Sequence, residues 1–363
     1  MNELKKKELN YIAELVLPSR SAYSIQVMKM CNAFSELGYK TNLHVLKSQS
    51  NKIHKIYNCN SNFKIYSYNL KINNFISRLL FATKLVLKNK NLFGILYSRS
   101  IITGIFLSFF KKDVVIEIHH ELKGFTFFLF QLCKNFGFFK KIKFVFITKN
   151  LKKNFNLLNK SVIADDGVDL KNFKLKKNKN KYKNTCVYTG SFAKGKGLEK
   201  IIKISKLLPK IEFHLYGDFS NSTYSNETIR NFNNIKYFGF SEYKNMPKIL
   251  NKYDLYLMPY ENKVYVRSKN IEVSKFMSPM KLFEYMAANG VLIASDLSVY
   301  SHILNKKNSI LIKNNSINLW KRKIEEFFKI KKKFLYLSKN AHESVKPYTW
   351  DNRAKKIMSF INV

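Results

Sequence analysis

The sequence lacks long apolar runs and is poor in cysteine. No stretch reaches the roughly 20 apolar residues that span a bilayer. The N-terminus, MNELKKKELNYIAELVLPS, has no continuous apolar segment before a small-residue cleavage site. The cysteines are far apart and show no CxxC spacing; they are Cys31, Cys59, Cys133 and Cys186. We therefore predict a cytoplasmic protein whose cysteines are reduced and bind no metal.

Acidic residues are scarce as well. Asp and Glu number 24 against 65 Lys and Arg, for a formal net charge of +41. This charge raises the alternative of a nucleic-acid-binding protein. However, lysine is spread along the whole chain, and there is no RNA-binding aromatic–glycine motif, zinc spacing or recognition-helix signature. We expect no specific nucleic-acid partner, but a salt-sensitive attraction to anionic lipid headgroups or anionic substrates.

Strand-like and helix-like segments alternate in two consecutive sets over the 363 residues, a length that favours two domains. The alternation predicts an α/β protein with parallel, doubly wound sheets. A lysine- and asparagine-rich stretch, residues 171–184, is the predicted junction. The predicted parts are an N-terminal domain at 1–170, a C-terminal domain at 171–345, and a helix within 346–363 that returns toward the N-terminal domain.

The stretch SPMKLFEYMAANGVLIASD combines a helix with a charged pair. Ser278 suits the cap, Pro279 suits the first helical position, and Gly290 suits the stop. Lys281 and Glu284 are three residues apart and share a helix face. A helix N-terminus with a lysine is suited to a phosphate, and the carboxylate is suited to ribose hydroxyls. The alternative is an exposed ion pair contributing about 0.2–0.5 kcal/mol.

The same stretch resembles the signature of family-4 retaining glycosyltransferases, in a branch with an MSPxKxFEYMAxG motif. The segments PSRSAYSIQVMKMCNAFSELGYKTNLHV, VVIEIHH, IADDGVDLKNF and YTGSFAKGKGLEKIIKISKLLPKIEFHLYGD resemble other parts of that branch in the expected order. The resemblance covers nearly the whole chain. It implies the GT-B architecture, in which two Rossmann-like doubly wound domains face each other across a cleft. It also implies sugar transfer from a nucleotide donor with retention of anomeric configuration, without a cofactor.

Donor-side roles follow from the resemblance. Glu284 is similar to the family's ribose-binding glutamate, and Lys196 to its diphosphate lysine. Gly190 would let the donor approach the backbone closely. The alternative for Lys196 is a solvated lysine, as for Lys194.

Two departures from the family pattern concern the donor. Ser191 stands where many members carry an arginine, and this departure weakens diphosphate binding unless Lys281 or Arg267 replaces the missing charge. Phe276 stands where the first of two paired glutamates is usual, and Glu272 is a possible substitute. The predicted donor-binding residues are Gly190, Ser191, Lys196, Glu272, Ser278, Pro279, Lys281 and Glu284.

Acceptor-side candidates follow strands of the first half. The resemblance makes His119 a contact of the transferred sugar or of the acceptor; a structural histidine is the alternative, and His120 is adjacent. Arg20, Ser21 and Arg99 are expected to line the acceptor side, although ordinary turns explain them nearly as well.

The resemblance implies metal-independent, same-face displacement, with His119, Lys196 and Glu284 as the catalytic set. No DxD-type carboxylate pair follows a strand in a way that suggests a metal, and Asp165–Asp166 suits a turn. The predicted partners are a nucleotide-sugar donor and a glycan or lipid-linked acceptor in cell-surface polysaccharide synthesis. The alternatives are a nucleotide-sugar epimerase or phosphorylase of the same fold, and the nucleic-acid-binding protein.

Two basic segments are rich in aromatic residues: FISRLLFATKLVLKNK and GFTFFLFQLCKNFGFFKKIK. They suit a helix that lies on an anionic membrane surface. They suit core-facing helices of the N-terminal domain at least as well.

Overall fold

The computed structural model describes residues 8–60, 63–71, 75–88, 94–110, 114–157, 161–173, 182–219, 222, 224–266, 272–288, 290–313 and 316–362. The chain forms two compact units. Unit 1 contains Met1–Asp166 and Trp350–Val363, and unit 2 contains Gly167–Thr349. The acceptor and donor roles of the predicted domains stay predictions.

Unit 1 is built on a parallel sheet of seven strands in the order β3-β2-β1-β4-β5-β6-β7. The strands are β1 Glu8–Leu17, β2 Lys40–Ser48, β3 Lys64–Ser67, β4 Ile95–Ser98, β5 Val114–Ile118, β6 Lys143–Phe146 and β7 Ser161–Ile163. Its helices are α1 Ala22–Glu36, α2 Ile53–Ile56, α3 Phe75–Lys88, α4 Ile101–Ser108, α5 Gly124–Asn135, α6 Lys149–Phe155 and, from the end of the chain, α13 Trp350–Ile361.

Strand β1 is central in this sheet because its residues are apolar on both faces. Tyr11 pairs with Leu43 of β2 on one side and Tyr97 of β4 on the other. The rings of Tyr11 and Tyr97 lie 4.9 Å apart, and Phe34 of α1 packs 5.5 Å from Tyr97. Helix α1 begins after Ser21, whose hydroxyl accepts the Ser24 N–H.

Unit 2 is built on a parallel sheet of six strands in the order β10-β9-β8-β11-β12-β13. The strands are β8 Thr185–Thr189, β9 Glu212–Tyr216, β10 Ile235–Tyr237, β11 Leu255–Met258, β12 Val291–Ser295 and β13 Ile310–Ile312. Its helices are α7 Leu198–Leu207, α8 Asn226–Arg230, α9 Met246–Leu250, α10 Met280–Ala287, α11 Ile317–Lys329 and α12 Leu335–Val345. Both faces of this sheet carry an apolar core.

Each sheet has one point where the strand order reverses. In unit 1 the order reverses between β1 and β4, and in unit 2 it reverses between β8 and β11. Loops at the carboxyl ends of such strands form the binding crevice of doubly wound sheets. A ligand site in unit 2 is therefore expected among the residues that follow β8 and β11.

The predicted doubly wound α/β class is confirmed. The predicted bounds of one helix are wrong. Helix α10 begins at Met280, with Pro279 in the cap position at ψ 116°, so Ser278 is not the cap. It ends at Ala287 rather than running to Gly290, because Ala288 is already extended. Residues 174–181 of the predicted junction lie outside the described residues. Within the described ranges, no helix is long and apolar enough to cross a membrane.

Candidate functional site

The loop between β8 and α7 lies at the reversal point of the unit 2 sheet. Gly190 adopts φ +121°, and its N–H donates to the Tyr216 carbonyl at 2.8 Å. Lys196 lies further along the loop, half-buried, and its Nζ donates to the Ser191 hydroxyl at 2.7 Å. Lys194, by contrast, is exposed. The loop thus turns one lysine inward and the other toward solvent.

Helix α10 brings a second lysine to this loop. All eight of its residues are buried, including Lys281 and Glu284. Lys281 Nζ lies 3.5 Å from the centre of the Tyr188 ring and 5.2 Å from that of Tyr260. A Cβ added to Gly190 would lie 2.9 Å from the same nitrogen. The glycine therefore makes room for the buried amine, which a side chain at this position would displace.

No described residue accepts a hydrogen bond from Lys281 Nζ. A buried amine without an acceptor is uncommon, because desolvating it without compensation is unfavourable. The contact with the Tyr188 ring offsets only part of this loss. The position suits an anion that arrives with a ligand.

The electrostatics of the site follow from burial. Burial first, and then the charge of Lys196, lower the pKa of Lys281 well below its usual range, against the attraction of Glu284. Burial raises the pKa of Glu284 to about 7; Lys281 opposes the rise and Asp169 adds to it. Lys196, Lys281 and Glu284 therefore interact within unit 2, and a ligand that supplies an anion to Lys281 would restore its charge.

The stability of the protein is expected to fall between pH 5 and pH 8 through Glu284. Its pKa of about 7 lies above the ordinary 4.5, so the folded chain holds a proton that the unfolded chain has already released. The contribution is complete below pH 4.5 and is lost as the pH rises through 7. Glu284→Gln removes this dependence, and its advantage in unfolding free energy at pH 8 should approach about 3 kcal/mol.

Urea unfolding at several pH values measures this difference. The control is Glu325→Gln, which alters an exposed carboxylate in a surface pair with Lys321. It should follow the wild-type curve. If the unfolding free energies of Glu284→Gln and the wild type depend on pH in the same way, the Glu284 carboxyl is not desolvated in the folded protein.

The other predicted donor residues are placed as follows. Glu272 is half-buried and its Oε1 accepts from the Ser274 hydroxyl at 2.5 Å. Phe276, which stands in place of the family's first glutamate, is buried with 8% of its surface exposed, as is usual for an apolar side chain. Ser278 and Pro279 directly precede α10 and are half-buried. Arg267 lies outside the described residues.

The acceptor-side candidates belong to unit 1, where His119 directly follows β5. Its Nε2–H donates to Glu117 Oε1 at 2.5 Å. Burial and the charge of Arg99 lower the pKa of His119 to about 3, although Glu117 opposes the shift. The contact is therefore a hydrogen bond from a neutral ring rather than an ion pair, and it leaves Nδ1 as the acceptor nitrogen.

Glu117 is the centre of a buried polar network. Its carboxylate also accepts from Arg353 Nη2 at 2.6 Å and Gln26 Nε2 at 2.9 Å. Burial acts to raise the pKa of Glu117, but the charge of Arg353 and the hydrogen bond from His119 hold it well below its ordinary value. Arg99 donates to Gln26 Oε1 at 2.8 Å and so fixes the Gln26 amide. These hydrogen bonds hold the Glu117 carboxylate and the His119 ring in one orientation.

The remaining acceptor candidates lie at the start of α1. Arg20 is exposed, and the hydroxyl of Ser21 caps α1. Arg99 stacks over the Tyr23 ring at 4.1 Å, so it is fixed against α1 as well as bonded to Gln26. Their acceptor role stays a prediction.

Several residues that shape these sites were not predicted from the sequence. Tyr188 and Tyr260 lie at or just beyond the carboxyl ends of β8 and β11, so the crevice rule applied to VYTG and LMPY could have found them. Glu117 stands out as an acidic residue inside the buried run VVIEI. Arg353 carries no such signal, because its partner is far away in the sequence. Within the described residues, no group of three or more His, Cys, Asp or Glu side chains is placed to hold a metal ion.

Comparison with known families matches one model. Residues 169–344 match the family described as Glycosyl transferases group 1. This range covers nearly all of unit 2, including Gly190, Lys196, Lys281 and Glu284. No curated protein matches the chain by sequence.

Solved structures match this chain over the length of both units. A glycosyltransferase from Rickettsia africae is similar at TM-score 0.75 and 14% identity, covering 99% of this chain and 98% of that one. The sucrose-phosphate synthase of Thermosynechococcus elongatus matches at TM-score 0.74 and 12% identity, with 98% of each chain covered. HepE of Anabaena, solved with UDP-glucose, matches at TM-score 0.73 and 10% identity, covering 98% and 99%. These matches show the fold, which is GT-B.

Proposed function

We propose that the protein is a glycosyltransferase that takes a sugar from a nucleotide-diphosphate donor and passes it, with retention, to a hydroxyl of a glycan or lipid-linked acceptor. The observation that carries the proposal is Lys281. Its amine is buried beside Gly190 without an acceptor among the described residues, and Glu284 lies one turn further along α10. The family match over residues 169–344 supports the same activity.

The two lysines suit the diphosphate of such a donor. Lys281 supplies a desolvated amine, and Lys196, half-buried in the neighbouring loop, supplies a second positive charge. Negative charge grows on the diphosphate as the sugar leaves, so cations fixed in a dry site stabilise the transition state more than the bound donor. We infer that these amines provide the countercharge and that no divalent metal is required.

Glu284 suits the ribose. Its carboxylate is buried in α10, where water does not compete for its oxygens. Two vicinal hydroxyls donate to one carboxylate, and such charge-assisted hydrogen bonds contribute about 1.5–3 kcal/mol each. The HepE structure with UDP-glucose makes a uridine diphosphate sugar the first donor to test.

We assign acceptor binding to unit 1. His119 is held in one tautomer by Glu117, which leaves Nδ1 as its acceptor nitrogen. Its low pKa keeps the ring neutral near pH 7. A neutral ring that accepts a hydrogen bond suits a sugar hydroxyl. The acceptor we infer is a glycan or lipid-linked glycan of cell-surface polysaccharide synthesis.

A thermal-shift panel of UDP-, GDP-, ADP- and CMP-sugars tests the donor proposal. At a hundred times its dissociation constant, the correct donor should stabilise the protein by about 2.7 kcal/mol. CMP-sugars carry a single phosphate and should give the smallest shift. Glu284→Ala should abolish the shift and leave a folded protein.

The matched control is Glu325→Ala, which removes an exposed carboxylate from α11 in the same unit. It should keep the full shift. A wild-type protein that responds to none of the diphosphate sugars would contradict the proposal, as would a Glu284→Ala variant with an undiminished shift. Transfer or hydrolysis products, with the anomeric configuration read by NMR, distinguish a transferase from an epimerase or phosphorylase.

A further inference from the structure

Unit 1 exposes phenylalanine side chains over three neighbouring elements. Six of them form what we call the phenylalanine face: Phe109, Phe110, Phe125, Phe128, Phe136 and Phe138. Phe136 is the most exposed of these, at 73%. Soluble proteins rarely expose contiguous apolar patches of this kind without a binding role.

Ring contacts join most of these side chains into two clusters, one at each end of α5. Phe125 and Phe128 lie on α5 with their rings 6.4 Å apart, and Phe125 also contacts Phe75 of α3 at 4.8 Å. Phe136 follows α5, lies 6.4 Å from Phe138, and Phe138 lies 5.2 Å from Phe109 at the end of α4. The first cluster joins α3 to α5, the second joins the end of α5 to the end of α4, and α5 connects the two within one unit.

Helix α5 carries apolar side chains on its exposed side as well as on its buried side. Its buried apolar side chains are Phe130 and Cys133, which face the core. Phe125, Phe128 and Leu132 lie on the opposite side, where a solvent-facing helix would carry polar residues. The prediction of a core-facing helix therefore holds for Phe130 and Cys133 but not for Phe125, Phe128 and Leu132. In α3, Phe81 and Leu85 are buried, whereas Ile76, Leu80 and Leu87 are exposed.

The elements that form the face carry charge of one sign. The sequences of α3, α4, α5 and the turn Phe138–Lys141 contain no Asp or Glu. Lys84, Lys123, Lys140 and Lys141 are exposed on or beside these elements. Aromatic rings bordered by lysines are the composition of segments that lie in the interface of an anionic membrane.

We propose that the phenylalanine face docks unit 1 onto the surface of an anionic lipid bilayer. The rings enter the boundary between headgroups and acyl chains, while the lysines contact anionic headgroups. A second copy of this chain is a poorer occupant, because pairing two identical faces would oppose lysines with lysines on chains of net charge +41. Docking needs no spanning helix.

Sedimentation with lipid vesicles tests the proposal on the full chain. Vesicles of phosphatidylcholine with about a third phosphatidylglycerol should bind the protein, and pure phosphatidylcholine vesicles should bind it at least about tenfold more weakly. Phe128→Gln combined with Phe136→Gln should weaken binding to the anionic vesicles by about tenfold or more. The matched control is Leu335→Gln with Tyr336→Gln, which removes exposed apolar side chains from unit 2. It should bind as the wild type does.

Two double charge-reversal variants distinguish binding through the phenylalanine face from a general attraction of the basic chain to anionic vesicles. Lys140→Glu with Lys141→Glu should reduce binding by about tenfold or more. Lys306→Glu with Lys307→Glu makes the same change in net charge at exposed positions of unit 2 and should leave binding unchanged. Equal losses in the two charge variants would overturn the proposal. So would undiminished binding by the phenylalanine variant when its melting temperature matches that of the wild type.

Size-exclusion chromatography with light scattering tests whether a second copy of this chain binds the phenylalanine face instead. A wild-type oligomer that the phenylalanine variant converts to monomer, without vesicle binding by either, would assign the face to self-association and overturn membrane docking. The vesicle experiment contains no nucleotide sugar, so its outcome is independent of the donor experiment.

Discussion

Lys281→Met is expected to make the protein more stable and far less active. The amine is buried over the Tyr188 ring and has no acceptor among the described residues, so replacing it with an apolar side chain of similar length removes a desolvation penalty. We expect a gain of about 1–2 kcal/mol in unfolding free energy. Under the proposed function, the same change should weaken donor binding by at least about tenfold and transfer by about a hundredfold to a thousandfold.

A second buried lysine supplies the control for this experiment. Lys200 of α7 donates to the carbonyls of Pro259 and Tyr260 at 3.1 and 3.5 Å. Lys200→Met leaves those carbonyls without this donor and should reduce stability by about 1–3 kcal/mol while preserving donor affinity. Urea unfolding and calorimetric titration with the donor measure both properties. If Lys281→Met lowers stability and leaves donor affinity unchanged, the buried amine is structural.

Arg353→Met is expected to destabilise the protein by about 3–5 kcal/mol. Arg353 lies on α13 with 4% of its surface exposed, and its Nη2 donates to the fully buried Glu117 carboxylate. Its Nε also donates to the Asp165 carbonyl at 2.9 Å. Removing the guanidinium leaves a buried carboxylate without its main countercharge, which is unfavourable in a low dielectric.

A double variant tests that mechanism. Glu117→Gln with Arg353→Met replaces the buried charge by a neutral amide and should be more stable than Arg353→Met alone, which a double-mutant cycle quantifies. Arg322→Met changes an exposed arginine of α11 and should alter stability by less than about 0.5 kcal/mol. If the two arginine variants unfold at the same urea concentration, the buried pair contributes nothing measurable.

The strands and their sheets could be predicted from the sequence because parallel strands are apolar on both faces. Runs such as VVIEI and LYLM are buried throughout. The three-residue β7 is too short to give such a signal. The start of α10 was misplaced by one position, because Ser278 and Pro279 are both typical of helix N-termini.

The state of the site residues could not be predicted in the same way. The spacing of Lys281 and Glu284 indicated a shared helix face, but only the packing of Tyr188 and Gly190 around the amine reveals that it is desolvated. The pairing of Glu117 with Arg353 joins residues 236 positions apart. Helical spacing in α5 likewise does not indicate which side faces solvent.

Unit 1 is discontinuous in sequence, and this has a consequence for biosynthesis. Its last helix, α13, is translated after the whole of unit 2, yet it carries the guanidinium that neutralises Glu117. When the first 166 residues have been synthesised, all seven strands of the unit 1 sheet are present, but Arg353, the countercharge of the buried Glu117 carboxylate, is not. A released chain that ends at Thr349 should remain sensitive to protease in unit 1, even where unit 2 has become resistant.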